Sequence, residues 1–224
     1  MLRKILFPLL LGVVGCGILI ALGVWQVQRL TWKTTILDRI EATITAPPVA
    51  LPDAPDPATD TYLPVTVSGE ITGQTLSVLV STEANGAGYR TITGFRTSDG
   101  RDIVADLGFL SLDDRGAPLP TGPVTLTGNL LWPDELDGWT PAPDAATGIW
   151  FARDLPAMAL ALGVDPVMVV ARDISPASPT VPMPVGIAGI PNDHLGYAIT
   201  WFMLAAGWAL MSGLLIRRTL KKDA

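Results

Sequence analysis

The chain has 224 residues, is 49% hydrophobic and carries a formal net charge of -6. Its one cysteine, Cys16, and one histidine, His194, exclude a disulfide framework, a serine–histidine–aspartate triad in the polar middle of the chain and a multi-histidine zinc site. Residues 26–194 hold nine Lys+Arg against 20 Asp+Glu, a balance that argues against nucleic acid and anionic lipid as partners of this part.

Arg3 and Lys4 stand in a short N-terminal segment, residues 1–4. Residues 5–25 then contain no charged residue and no histidine, which is long enough for a transmembrane helix at about 20 apolar residues. Trp25, Arg29 and Trp32 fall at i, i+4 and i+7, so the helix is expected to leave the bilayer and continue to about residue 44. Gly12 with Cys16, and Gly17 with Ala21, are small residues four apart that let another helix approach closely. Val13-Val14-Gly15-Cys16 resembles a lipoprotein cleavage box and Ala21-Leu22-Gly23 a signal-peptidase site. The apolar run from Gly17 to Trp25 favours an uncleaved span.

Residues 45–191 are expected to form one β-rich domain outside the membrane, tied to its helices by Pro-rich connectors at 47–57 and 175–184. Alternating apolar residues predict strands over 62–71, 75–82, 89–97, 101–110 and 124–131, with a last one over 167–172. Ser98-Asp99-Gly100 marks a hairpin turn and Asp113-Asp114-Arg115-Gly116 another. Asp154 is placed to cap a short helix over 155–162 that ends at Gly163. This pattern predicts an antiparallel barrel or sandwich with one small helix. Residues 192–216 form the second transmembrane helix, on which Ala205, Ala209 and Gly213 make a small-residue ladder. A basic tail follows over 217–224. Basic flanks stay in the cytoplasm, so both termini are expected there, with antiparallel spans and the domain in a bacterial periplasm or an equivalent space.

No phosphate-binding loop or dinucleotide fingerprint is present. Asp113/Asp114 and Asp134/Glu135/Asp137 look like solvated turns, and Met158, Met168 and Met183 form no close-set thioether cluster for copper. Lys33 is the only lysine between the spans, so an enzyme would be left with carboxylate or Ser/Lys chemistry; none is expected. What remains is His194 at the outer edge of the second span. It is either an interfacial residue or an axial ligand for a heme lying between the helices. In the second case Tyr197, Trp201, Trp25 and Trp32 would wall the porphyrin, and Arg29 and Lys33 would meet its propionates. The plainer alternative for these side chains is an aromatic belt and headgroup contacts.

The segment Leu22-Gly23-Val24-Trp25-Gln26-Val27-Gln28-Arg29-Leu30-Thr31-Trp32-Lys33 resembles the Gly-x-Trp-Gln-x-x-Arg-Leu-x-Trp-Lys signature of the Surfeit locus protein 1 family. Asn192-Asp193-His194-Leu195-Gly196-Tyr197-Ala198-Ile199-Thr200-Trp201-Phe202 resembles its Asn-x-His-x-x-Tyr-Ala-x-x-Trp-Phe signature. Looser agreement runs through Gly88-Tyr89-Arg90, Asp99-Gly100-Arg101 and Trp139-Thr140-Pro141 to Trp150-Phe151. One departure is visible: in Asp106-Leu107-Gly108-Phe109-Leu110-Ser111, Leu107 stands for the family's Arg and Ser111 for its Pro. The resemblance implies a non-enzymatic factor for biogenesis of heme-copper cytochrome c oxidase, in a bacterial plasma membrane. It implies heme a as cofactor, held stably or in transit, with His194 as iron ligand. Its implied partners are the oxidase core subunit and heme a synthase. A scaffold that stabilises the core subunit without binding heme is the alternative.

Overall fold

The computed structural model describes residues 2–144 and 146–222; Met1, Asp223 and Ala224, at the ends expected to be cytoplasmic, lie outside them. In chain order the elements are α1 (Leu2–Ile44), β1 (Val49–Ala50), α2 (Pro57–Asp60), β2 (Pro64–Thr82), β3 (Gly86–Thr97), β4 (Asp102–Ser111), β5 (Val124–Leu131), β6 (Ile149–Trp150), α3 (Leu155–Leu162), β7 (Met168–Ser175) and α4 (His194–Lys222). The chain divides into a helical unit, residues 1–39 with 187–224, and a second unit over residues 40–186.

In the helical unit α1 and α4 are both long and apolar enough to cross a membrane. Only 11% and 6% of their most apolar stretches are buried within the molecule, so neither is the core helix of a water-soluble fold. Their exposed Leu, Ile, Val and Phe side chains are compatible with spanning a membrane. The first helix reaches Ile44, as the Trp25/Arg29/Trp32 periodicity predicts. The second does not stop at residue 216 but carries the helix through the basic tail to Lys222.

The second unit is a closed five-stranded barrel. Its strands run β2-β3-β4-β7-β5, and β5 pairs back onto β2. All these pairings are antiparallel except β4–β7. One long strand closes the ring. The first half of β2 pairs with β5, over Pro64↔Asn129 to Gly69↔Val124, and the rest pairs with β3. The expected break between strands 62–71 and 75–82 is therefore only an irregularity between Ile71 and Thr75 inside one strand, with Gly73 at φ +92°. A glycine there turns the strand without unpairing it. The short β1 and β6 add to β2 in parallel; at two residues each they are too brief to leave an alternation in the sequence.

Both faces of β4 are covered. Ile103, Ala105 and Leu107 point into the barrel with Val65, Phe95, Leu126 and Val169. Val104 faces the other way and packs with Ile92, Met168 and Val170 under Leu155, Met158 and Ala159 of α3. That helix forms where predicted: Asp154 Oδ1 accepts from Ala157 N at 3.2 Å, and Gly163 ends it at φ +69°. The 98–100 hairpin is also as expected, with Thr97 N–H bonded to the Arg101 carbonyl at 2.8 Å. The connector after β7 is less free than its prolines suggest. Phe109 and Val181 exchange backbone hydrogen bonds of 2.7 and 2.8 Å. Gly108, at φ +98°, allows this approach; a Cβ there would stand 2.2 Å from the Val181 carbonyl oxygen.

Candidate functional site

Along α1 the residues turned toward α4 are Gly12, Cys16, Leu19, Gly23 and Gln26, stepping by four and three. Along α4 the matching series is His194, Ala198, Trp201, Ala205, Trp208 and Ser212. This is the spacing of a coiled-coil seam, built here from small residues so that the backbones come close. A Cβ on Gly12 would meet Ser212, one on Gly15 would meet Trp208, and one on Gly23 would meet Phe202. Cys16 Sγ lies 3.7 Å from the Ala205 carbonyl, and Trp208 Nε1 donates to the Leu11 carbonyl at 3.3 Å. The expected ladder on α4 divides. Ala205 sits in the seam, while Ala209 and Gly213 line an apolar groove of about 480 Å³ with Gly12, Cys16, Gly17 and Ile20 of α1.

At the other end of the seam the pairing turns polar. His194 Nδ1 lies 2.8 Å from Gln26 Oε1. An amide oxygen can only accept, so this contact is a hydrogen bond in the tautomer that carries the proton on Nδ1. Nε2 has no hydrogen-bond partner among the described residues. Gln26 is 8% exposed and Ala198 2%, so the seam is closed at this level. The other expected site residues separate into two groups. Trp201 and Lys33 are half-buried. Trp25, Trp32 and Tyr197 are half or more exposed, at 52, 50 and 57%. Arg29 is exposed and stacks over Trp32, 4.2 Å from guanidinium to ring centroid. The aromatics expected to wall a heme are thus mostly turned outward beside the seam, on the same end of the helical unit as His194.

The barrel unit has its own polar centre. Asp106 alternates with Val104 onto the outer face of β4 and is fully buried. Arg90 of β3 meets it at 2.7 Å and Arg153 at 3.1 Å. Asp106 Oδ1 also accepts the Gly108 N–H at 3.1 Å. Arg90 reaches on to the Met183 carbonyl at 3.1 Å, and Arg153 forks onto Glu135. Glu135 is therefore no free turn carboxylate. Burial alone would push it up, but hydrogen bonds and charge from Arg153, with charge from Arg90, hold it below its usual value. Asp137, by contrast, does organise a turn: its carboxylate accepts from Trp139 N and Thr140 Oγ1. Two guanidiniums balance two carboxylates, so the network straps β3, β4 and the segments at 135, 153 and 183 together without net charge.

A family model described as the SURF1 family matches residues 13–206. The chain belongs to the SURF1 family. It is 30% identical to Surfeit locus protein 1 of Rattus norvegicus, over 83% of this chain and 68% of the relative. It is 29% identical to the SURF1-like protein of Rickettsia felis, over 84% and 87%. With Surfeit locus protein 1 of Homo sapiens the identity is 28%, over 83% and 69%.

Within this SURF1 family chain the two signature segments meet through one contact, Gln26 to His194. Sequence reasoning singled out His194 and passed over Gln26. The signal was there: a polar residue three positions after Gly23, in register with Gly12, Cys16 and Leu19. In the middle of the chain Arg90 of Gly88-Tyr89-Arg90 forms an ion pair with Asp106 of the segment that departs from the family pattern. Leu107, which stands where the family carries Arg, is fully buried in the barrel; guanidinium on Asp106 comes from Arg90 and Arg153. Among the described residues no group of three His, Cys, Asp or Glu could hold a metal ion.

Proposed function

We propose that this protein is a non-enzymatic assembly factor for a heme-copper cytochrome c oxidase. It binds heme a at His194 and assists its insertion into the oxidase core subunit. The observation that carries the reading is the state of the chain's one imidazole. Its Nδ1 is engaged by Gln26 at 2.8 Å, so the bare Nε2 is the nitrogen available to iron. Heme, when bound, would supply an iron that such a nitrogen can ligate and propionates that call for cations. Arg29 and Lys33 are the cations of the signature, and Trp25, Trp32, Tyr197 and Trp201 supply apolar surface. Because the seam is closed at Gln26 and Ala198, the reading places the porphyrin on these outward aromatics rather than between the helices. In this reading the helices span the plasma membrane with both termini cytoplasmic and the barrel periplasmic; heme a synthase is the partner that supplies the cofactor. The test is co-expression with heme a synthesis and an absorption spectrum of the detergent-purified protein. His194→Ala is expected to lose most of the heme; the same content and spectrum as the unsubstituted protein would refute the ligand role.

A second reading is a scaffold that steadies the core subunit during cofactor loading and binds no heme. The open groove lined by Gly12, Gly17, Ala209 and Gly213 favours it, because small residues facing lipid admit a further helix. A protein that purifies colourless, yet brings the core subunit with it, would decide for this reading.

A further inference from the structure

We infer that Gln26 is a positioning residue: it fixes His194 in the Nδ1-protonated tautomer and thereby presents Nε2 as the iron-binding nitrogen. The inference rests on the heme-ligand reading of His194, and the experiment below separates the two.

A polar pair in a small-residue seam needs a reason. Every other inward position on α1 from Gly12 to Gly23 is apolar or small. Gln26 is nearly buried and in register with them. A glutamine there costs desolvation unless its amide is bonded, and its carbonyl oxygen is bonded to His194 Nδ1 at 2.8 Å. A neutral imidazole has one donor and one acceptor nitrogen, and the hydrogen bond at one decides the chemistry of the other. Once Nδ1 is committed as donor, the lone pair is on Nε2. His194 opens α4, so the ring has no preceding helical turn to hold it. Gln26 supplies that constraint from α1. Metal-ligating histidines are oriented in this way by a partner on the second nitrogen, and losing that partner weakens metal binding about 10- to 100-fold.

The chain's single histidine makes the test clean. The full-length protein, labelled with nitrogen-15 histidine and held in detergent micelles at about pH 8.5, where a free imidazole is neutral, gives one pair of ring-nitrogen signals. The expected pair is a protonated Nδ1 and an unprotonated Nε2. Gln26→Leu should shift His194 to the Nε2-protonated or a mixed form and weaken heme a binding about 10- to 100-fold in a spectrophotometric titration. Gln26→Glu, which keeps an acceptor, should preserve both tautomer and affinity. A merely structural Gln26 would leave the tautomer unchanged. Three results overturn the inference: an Nε2-protonated ring in the unsubstituted protein, a Gln26→Leu variant whose tautomer is unchanged, or a Gln26→Leu variant that changes tautomer but binds heme as before. His194→Ala titrated beside them identifies the source of a failure. If it binds heme normally, the ligand reading has failed, whereas the nitrogen-15 signals still judge whether Gln26 sets the tautomer.

Discussion

The indole of Trp208 fills the space that a side chain on Gly15 would need: a Cβ at position 15 would stand 2.3 Å from Nε1. The same indole donates to the Leu11 carbonyl across the seam. Trp208 is thus seated in a notch of α1, and the notch exists because residue 15 has no side chain.

Gly15→Leu should force the two helices apart, at a cost of about 1–3 kcal/mol for overpacking. A cross-link reads this directly. Cys16 is the only native cysteine and its sulfur lies 3.7 Å from the Ala205 carbonyl. In an Ala205→Cys variant, mild oxidation should join the helices, so that fragments cut between the spans stay together until reduced. Adding Gly15→Leu should lower the yield several-fold. No cross-link in the Ala205→Cys variant would mean that the seam is in a different register.

Asp106 is the shared carboxylate of Arg90 and Arg153 and has no solvent contact. Asp106→Asn leaves two guanidiniums facing each other in a poorly hydrated site. Removing one member of a buried ion pair costs about 3–5 kcal/mol, so the barrel should melt well below the unsubstituted protein. Glu135→Gln, at the half-exposed end of the network, should cost less. Urea unfolding followed by tryptophan fluorescence gives the order; equal effects would show that Asp106 does not carry the network.

Acid should loosen the barrel through two lowered carboxylates. Asp99 is held at about 2, against 3.8, by hydrogen bonds from Thr97 and Arg101. Glu135 is held below 4.5. A carboxylate lowered by folding stabilises the fold above its unfolded value, and that contribution is lost as pH falls through the folded one. For Asp99 the loss runs from about pH 4 to about pH 2, and for Glu135 it begins near pH 4.5. The Asp99→Asn, Glu135→Gln double variant should therefore be less stable near pH 7 and lose less stability on acidification below pH 4.5. A melting-temperature series over that range checks the sign.

The secondary structure was legible where one element answers to one local rule. Two charge-free stretches give two helices because lipid admits little else. Asp154 and Gly163 bracket α3 because capping is decided within one turn. The irregularity at Gly73 was misread as a break, because a bend in a strand and a turn between strands use the same residue type. The candidate site was half legible. His194 stood out as the one histidine, whereas Gln26 declares itself only when the partner helix fixes which face is the seam.

By itself the sequence determined the two long apolar helices, most of the barrel's strand positions, the family and the imidazole, since each depends on composition, period or a short contiguous motif. The closure of the barrel through β2, the Arg90–Asp106–Arg153–Glu135 strap and the Gln26–His194 contact were decided only by tertiary structure. Each joins residues far apart in the chain, and hydrogen bonds and ion pairs over a few ångströms depend on register and facing that no local pattern encodes.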